Sequence, residues 1–121
     1  DVALRRLTGG HRGATLVVMS EEGAIVGLGN VFPDAPGDGH GAEIALIVED
    51  AYQGRGLGTR LLRHMLELAE RMDFHEVVAT VQAGNVGMLR LLERTGLEWA
   101  RELEEGVVAL RAPLPTAGSG T

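Results

Sequence analysis

A chain of 121 residues with 17 acidic and 11 basic side chains, a net charge of −6 and no cysteine has the size of one domain with one core. The acidic balance argues against a nucleic-acid surface and favours a cationic partner. The lack of cysteine removes disulfides, thiolate metal sites and the strongest covalent nucleophile, and suits a cytoplasmic setting. No apolar run approaches the ~18 residues of a membrane span, no signal peptide is evident, and the chain opens at Asp1 rather than Met, as a piece cut from something longer would.

Residues 1–14 predict one helical turn at most and then a Gly-rich break. "TLVVMS" (15–20) and "AIVGLGNVF" (24–32) are rich in β-formers and flank the turn "EEG" (21–23), which predicts a hairpin. The Pro-, Gly- and Asp-rich run 33–41 reads as a loop. "AEIALIV" (42–48) is apolar on both faces, the pattern of a central buried strand. After a glycine-rich loop, Leu57, Leu61, Leu62, Met65, Leu68, Ala69 and Met72 recur at helical spacing, with arginines and glutamates on the other side. "EVVATV" (76–81) is the next strand, so strand, helix and strand predict a right-handed crossover between parallel neighbours. "NVGMLRLLERTG" (85–96) predicts a second helix with Asn85 as N-cap and Gly96 as C′. "LEWAREL" and "VVALRAPL" predict two closing strands around a turn at 104–106, and 114–121 reads as a disordered tail. The order is β-β-β-α-β-α-β-β, an α/β chain with a mixed sheet.

The loop "YQGRGLG" (52–58) places three glycines just ahead of the first helix. Glycine there costs conformational entropy and lets bare backbone N–H groups approach a ligand. The usual ligand at a helix N-terminus is an anion, often a phosphate. A Walker loop is excluded because the loop has no lysine. A dinucleotide fingerprint fits poorly, because the glycines run G-x-G-x-G and five residues separate them from the preceding strand. A plain glycine turn before a helix is the structural alternative.

Gln53 to Gly58, "QGRGLG", matches the Q/R-x-x-G-x-G/A signature of the GNAT family of N-acetyltransferases, and the elements on either side follow that family's order across residues 15–112. The chain resembles that family. The resemblance implies the acyl-CoA N-acyltransferase fold, here lacking much of the usual N-terminal strand and helices, in one domain over residues 1–113 with 1–14 as the remnant of that region. It implies acetyl-CoA as co-substrate and no metal. It implies further that Gln53, Gly54, Arg55, Gly56, Leu57, Gly58 and Thr59 hold the pyrophosphate, that a strand amide near Ile47 or Val48 receives the thioester carbonyl, and that Asn85 contacts the pantetheine arm. A narrower resemblance rests on "AEIALIVEDAYQGRGLGTRLL" and "NVGMLRLLERTG" and is to the acetyltransferase domain of bacterial Pat-type protein lysine acetyltransferases. It implies a protein lysine as acceptor, in that group an acyl-CoA synthetase, and in some members a regulatory domain on the same chain.

A lysine amine has a pKa of ~10.4 and reaches a site as ammonium, so a base must remove a proton. Glu43, at the start of the central strand, is the candidate, against the reading of a solvated strand-end carboxylate. Glu49 and Asp50 rank second because they lie beside the phosphate loop, and His40 is a further titratable group nearby. The serines, Ser20 and Ser119, lie in no nucleophile elbow, so transfer is expected to be direct. Many members of the resembled family carry a tyrosine acid in the last helix; Leu92 stands there in this chain, and its one tyrosine is Tyr52. The alternatives to a protein acceptor are a small amine or a non-catalytic acyl-CoA-binding module.

Overall fold

Segments rich in β-forming residues build one sheet, and among the described residues two amphipathic helices cover one side of it. The computed structural model describes residues 2–8, 13–34, 40–49 and 56–115. The elements are β1 (Val2–Thr8), β2 (Ala14–Ser20), β3 (Ile25–Pro33), β4 (Gly41–Val48), α1 (Leu57–Arg71), β5 (Glu76–Gln82), α2 (Val86–Glu93), β6 (Ala100–Glu104) and β7 (Val107–Pro113). The seven strands form one sheet in the order β1-β2-β3-β4-β5-β7-β6. Every neighbouring pair is antiparallel except β4 and β5, which α1 joins as a crossover. The mixed α/β sheet and the strand–helix–strand crossover are as the sequence predicts.

The core lies between one face of the sheet and the two helices. Leu16, Val18, Val31, Ile44, Val77 and Leu110 of the sheet meet Leu61, Leu62, Met65 and Leu92 of the helices. These helix positions fall at intervals of one, three and four, as one stripe of a 3.6-residue helix must. Gly29 of β3 lets α1 approach closely, since a Cβ there would stand 2.5 Å from Met65 Sδ. At the far hairpin, Glu105 and Gly106 both take positive φ (51° and 80°), the backbone of a two-residue turn whose twist matches its strands.

Four expectations need correction. Val2–Thr8 is a strand, not a helical turn, and pairs with β2 from Val2↔Ser20 to Thr8↔Ala14. Its local pattern is masked by the helix-favouring Arg5 and Arg6, and a partner strand supplies the hydrogen bonds that settle the conformation. β4 is buried only in its first half; Ala45 and Ile47 are exposed, the latter to 72%. α2 ends at Glu93, short of the expected boundary, although Gly96 does take the left-handed φ (80°) expected of the glycine that closes the helix end. Thr95 Oγ1 and Trp99 Nε1 both donate to the Leu92 carbonyl, at 2.6 and 2.8 Å, and satisfy the helix end earlier. Leu114 belongs to the fold rather than to a tail: it is 5% exposed, and its N–H donates to the His75 carbonyl. The rest of the expected tail, from residue 116 on, lies outside the described residues.

Among the described residues no helix precedes α1, and no element covers the sheet face opposite the helices. Glu43, Ala45, Ile47 and Phe32 lie on that face, by strand alternation and register. Among the described residues no helix is long and apolar enough to cross a membrane.

Candidate active site

The sheet opens between β4 and β5. Their parallel register runs from Gly41↔Glu76 to Ile44↔Ala79 and stops. Each strand stays bonded to its outer neighbour beyond that point, β4 to β3 as far as Val48↔Gly27 and β5 to β7 as far as Gln82↔Val107. The two halves of the sheet therefore part like a V.

Which amides face the gap follows from the period of two. At the ends of β4, the Asp34 N–H donates to the Gly41 carbonyl (2.8 Å) and the Glu49 N–H to the Val26 carbonyl (2.9 Å). Odd-numbered residues thus turn their polar backbone toward β3, and Ala42, Ile44, Leu46 and Val48 turn theirs toward β5. The next bond of the parallel ladder would run from Leu46 N–H to the Thr80 carbonyl, and the register ends before it. The Leu46 amide opens onto the gap. The expected donor at Ile47 is corrected on this ground: its amide points at β3, although the residue is among those lining the cleft. Leu46 was missed because amide direction is a property of register, not of side-chain type.

The gap continues into a cleft of about 480 Å³. Leu46, Ile47 and Val48 form one wall, Gly56, Gly58 and Thr59 of the α1 N-terminus a second, and Asn85 and Met88 of α2 part of a third. A smaller cavity of about 130 Å³ lies in the crotch of the V, where Asn85, Met88 and Leu92 meet Ile44 and Ala79. Leu92, the position of the absent tyrosine, therefore sits at the split, but it presents a buried alkyl group.

Gly56 is the N-cap of α1 with φ of 78°, a conformation that glycine adopts without a steric penalty. It offers no capping side chain, and the first turn holds no acid. The N–H groups of Leu57, Gly58 and Thr59 have no intrahelical partners, and the helix dipole adds partial positive charge beside them. Leu57 contributes only its amide, because its side chain is in the core. Gly58 allows α2 close: a Cβ there would lie 3.2 Å from Leu91 Cδ2. The expected contacts at Gln53, Gly54 and Arg55, and the second-ranked Asp50, lie outside the described residues.

Asn85 does two things at once. Its Oδ1 accepts the Met88 N–H at 3.1 Å and caps α2, while the residue lines both cavities. Capping occupies the oxygen and leaves the side-chain NH₂ as a donor.

Glu43 is half-buried on the uncovered face, with Phe32 and Val78 as its register partners. Among the described residues no cation pairs with it; Arg111 is held by Asp34 and Glu76. Ala45 follows on the same face about 7 Å along the strand, at the opening of the V. The other candidates lie elsewhere. His40 precedes β4 at the closed end, stacked on His75 with ring centroids 4.9 Å apart. Glu49 is exposed beyond the end of β4. Ser20 caps its own hairpin turn through Oγ and the Ala24 N–H, away from the cleft. Among the described residues no group of three or more His, Asp or Glu side chains could hold a metal.

Comparison with known proteins gives a consistent picture. The model of the Acetyltransferase (GNAT) family matches residues 3–97. The chain is 36% identical over 93 residues to acetyltransferase Pat of Mycolicibacterium smegmatis, a match covering 73% of this chain and 28% of that protein. It is 28% identical over 89 residues to the spermine/spermidine N(1)-acetyltransferase of Bacillus subtilis, covering 69% of this chain and 59% of that protein. The crystal structure of the GNAT domain of S. lividans PAT superposes with a TM-score of 0.75 at 28% identity, over 85% of this chain and 61% of that one. The chain thus spans less than two thirds of the length of each of these relatives.

Proposed function

Because the chain belongs to the GNAT acetyltransferase family, we propose that it transfers acetyl from acetyl-CoA directly to an amine, and that the amine is a lysine of a protein. The observation that carries the transfer reading is the Leu46 amide, which faces a gap in the sheet that leads to the uncapped N-terminus of α1. Such a gap suits a thioester arm, and such a helix end suits a diphosphate.

The residues divide the work as follows. The amides of Leu57, Gly58 and Thr59 hold the pyrophosphate, with Gln53, Gly54 and Arg55 of the preceding loop. The Asn85 NH₂ group takes an amide carbonyl of the pantetheine arm, and Val48 lines its path. The Leu46 N–H holds the thioester oxygen as negative charge develops on it. Glu43 accepts the ammonium proton, through a water given its distance from the split. The amine nitrogen then bonds to the thioester carbon, and the C–S bond breaks. The thiolate leaves without a tyrosine acid, since Leu92 occupies that place, and the second proton lost by the attacking nitrogen passes through solvent to the departing sulfur.

The open face around Glu43, Ala45 and Ile47 supports a protein acceptor, as does the similarity to Pat. A small amine would need a pocket, and the described residues build none over that face. The similarity to a spermine/spermidine acetyltransferase and the charge of −6 support the second reading, a small polyamine. Acetyl-CoA as co-substrate favours a cytoplasmic setting.

Thiol release from acetyl-CoA in the presence of a purified acyl-CoA synthetase, the first protein to try, or a panel of polyamines tests both. This chain contains no lysine of its own, so every acetyl-lysine found by mass spectrometry belongs to the acceptor. Acetyl-lysine on the synthetase with no turnover of polyamines is the expected result. Turnover of polyamines alone would overturn the protein reading. Absence of acetyl-CoA binding would overturn the enzyme.

A further inference from the structure

α2 carries two arginines one turn apart that the transfer chemistry does not use. Arg90 and Arg94 are at i and i+4, so they project from one side of the helix. Both line the 480 Å³ cleft, across from Gly56, Gly58 and Thr59. Arg71, Arg101 and Arg111 are each paired with acids. Among the described residues Arg90 and Arg94 have no acidic partner, and no acid lines that cleft. In a chain of net charge −6 this is a local reversal of sign. Arg94 also borders a second cavity of about 340 Å³ between α1 and α2, which shares Thr59 and Leu91 with the first and is lined farther along by Arg63, Glu67 and Glu70.

We propose that Arg94 binds the 3′-phosphate of CoA and Arg90 its pyrophosphate, so that the chain discriminates acetyl-CoA from its 3′-dephospho form. The inference rests on the acetyl-CoA reading above and extends it. The charge balance requires more than the helix terminus provides. The diphosphate carries about two negative charges and a phosphomonoester about 1.5 to 2 more, against roughly half a positive charge at the end of α1 and the single charge assigned above to Arg55. Guanidinium groups supply the missing charge in a fork that matches phosphate oxygens. The side of α2 divides the roles. Met88 and Leu92 line the crotch of the split, Arg90 and Arg94 line the larger cleft and not the crotch, and of these two only Arg94 also borders the second cavity. The 3′-phosphate is the phosphate remote from the reacting end of CoA, and Arg94 stands at the junction of the two cavities.

Calorimetry with acetyl-CoA and acetyl-3′-dephospho-CoA tests this on the wild type, Arg94→Gln and Arg90→Gln. One charge-assisted contact corresponds to about a tenfold change in affinity. The wild type should bind acetyl-CoA about tenfold more tightly than the dephospho form. Arg94→Gln should erase that preference by weakening acetyl-CoA binding alone, and Arg90→Gln should weaken both ligands alike. Equal wild-type binding of the two ligands would overturn the inference and leave the acetyl-CoA reading standing. Failure to bind either would overturn both. If Arg94 only complements the C-terminal end of α2, Arg94→Gln will lower the melting temperature and keep the preference, which also refutes the assignment.

Discussion

Ile44 and Ala79 are the last partners of the parallel ladder, and the bond that would follow, from Leu46 N–H to the Thr80 carbonyl, is not made. That single omission creates a donor in the middle of a sheet. Leu46→Pro removes the N–H without breaking a ladder bond, because Leu46 faces the gap and not β3. The variant should fold and lose 10²- to 10³-fold in kcat, the usual cost of one oxyanion donor, with acetyl-CoA affinity changed little. Leu46→Ala keeps the amide and should retain most of the rate. A folded Leu46→Pro with full kcat would move the donor elsewhere.

Gly56 combines a φ of 78° with open space, since a Cβ there meets nothing within 4 Å. Backbone and ligand effects can therefore be separated. Gly56→Ala should cost about 1 kcal/mol in stability through the left-handed conformation alone, read as a lower midpoint in chemical denaturation. Gly56→Glu adds a negative side chain at the cleft wall, where an anion is expected, and should abolish acetyl-CoA binding. Unchanged calorimetric affinity in a folded Gly56→Glu would exclude this wall as the phosphate site.

Gly29 and Met65 form a coupled pair across the sheet–α1 interface. A Cβ on Gly29 would stand 2.5 Å from Sδ of the fully buried Met65. Gly29→Ala should destabilise by about 1–3 kcal/mol through overpacking. Met65→Ala should cost about 2–5 kcal/mol through the cavity it leaves. The double variant should cost less than the sum, since the second change makes room for the first. Additive midpoint shifts in urea would mean that α1 does not press on β3 there.

The elements legible in the sequence are those with strong internal signals. The helical stripe from Leu57 to Ala69 and the Asn85 cap read directly, because each follows from residue spacing alone. β1 did not read, since "VALRRLT" has no period that separates edge strand from helix and its pairing with β2 is non-local. The opening of β4 did not read either. "AEIALIV" is apolar throughout, and nothing in its composition says that the neighbour stops pairing at Ala79. The candidate site divides in the same way. The glycines before α1 announce themselves by type, whereas Leu46 is defined by amide direction and Arg90 and Arg94 by which side of α2 meets the cleft. Their i,i+4 spacing was the available signal, but it does not tell a cleft wall from a solvated surface.

Glu43 makes the sharpest test of mechanism, because two physical roles predict different kinetics. As a base, it is needed while the acceptor amine arrives protonated. Glu43→Gln should then lower kcat by ~10²-fold or more and leave acetyl-CoA binding nearly unchanged, since Glu43 lies outside the phosphate-binding end of the cleft. The sign with pH follows from the substrate. Below the amine's own pKa of ~10.4 the proton must be removed on the enzyme, and as pH rises toward that value a growing fraction of substrate arrives neutral. The deficit of the variant should shrink along that limb. As a steering charge, Glu43 would attract the cationic amine through solvent, and its loss would raise KM with kcat preserved. That effect would fade in added salt, because exposed charges are screened over about 10 Å at 0.1 M ionic strength. The half-buried position of Glu43 and the absence of a cationic partner among the described residues leave its carboxylate available for either role. A pH–rate profile of Glu43→Gln at two salt concentrations separates them. Full kcat at every pH would remove Glu43 from the chemistry and turn attention to Glu49, Asp50 and His40.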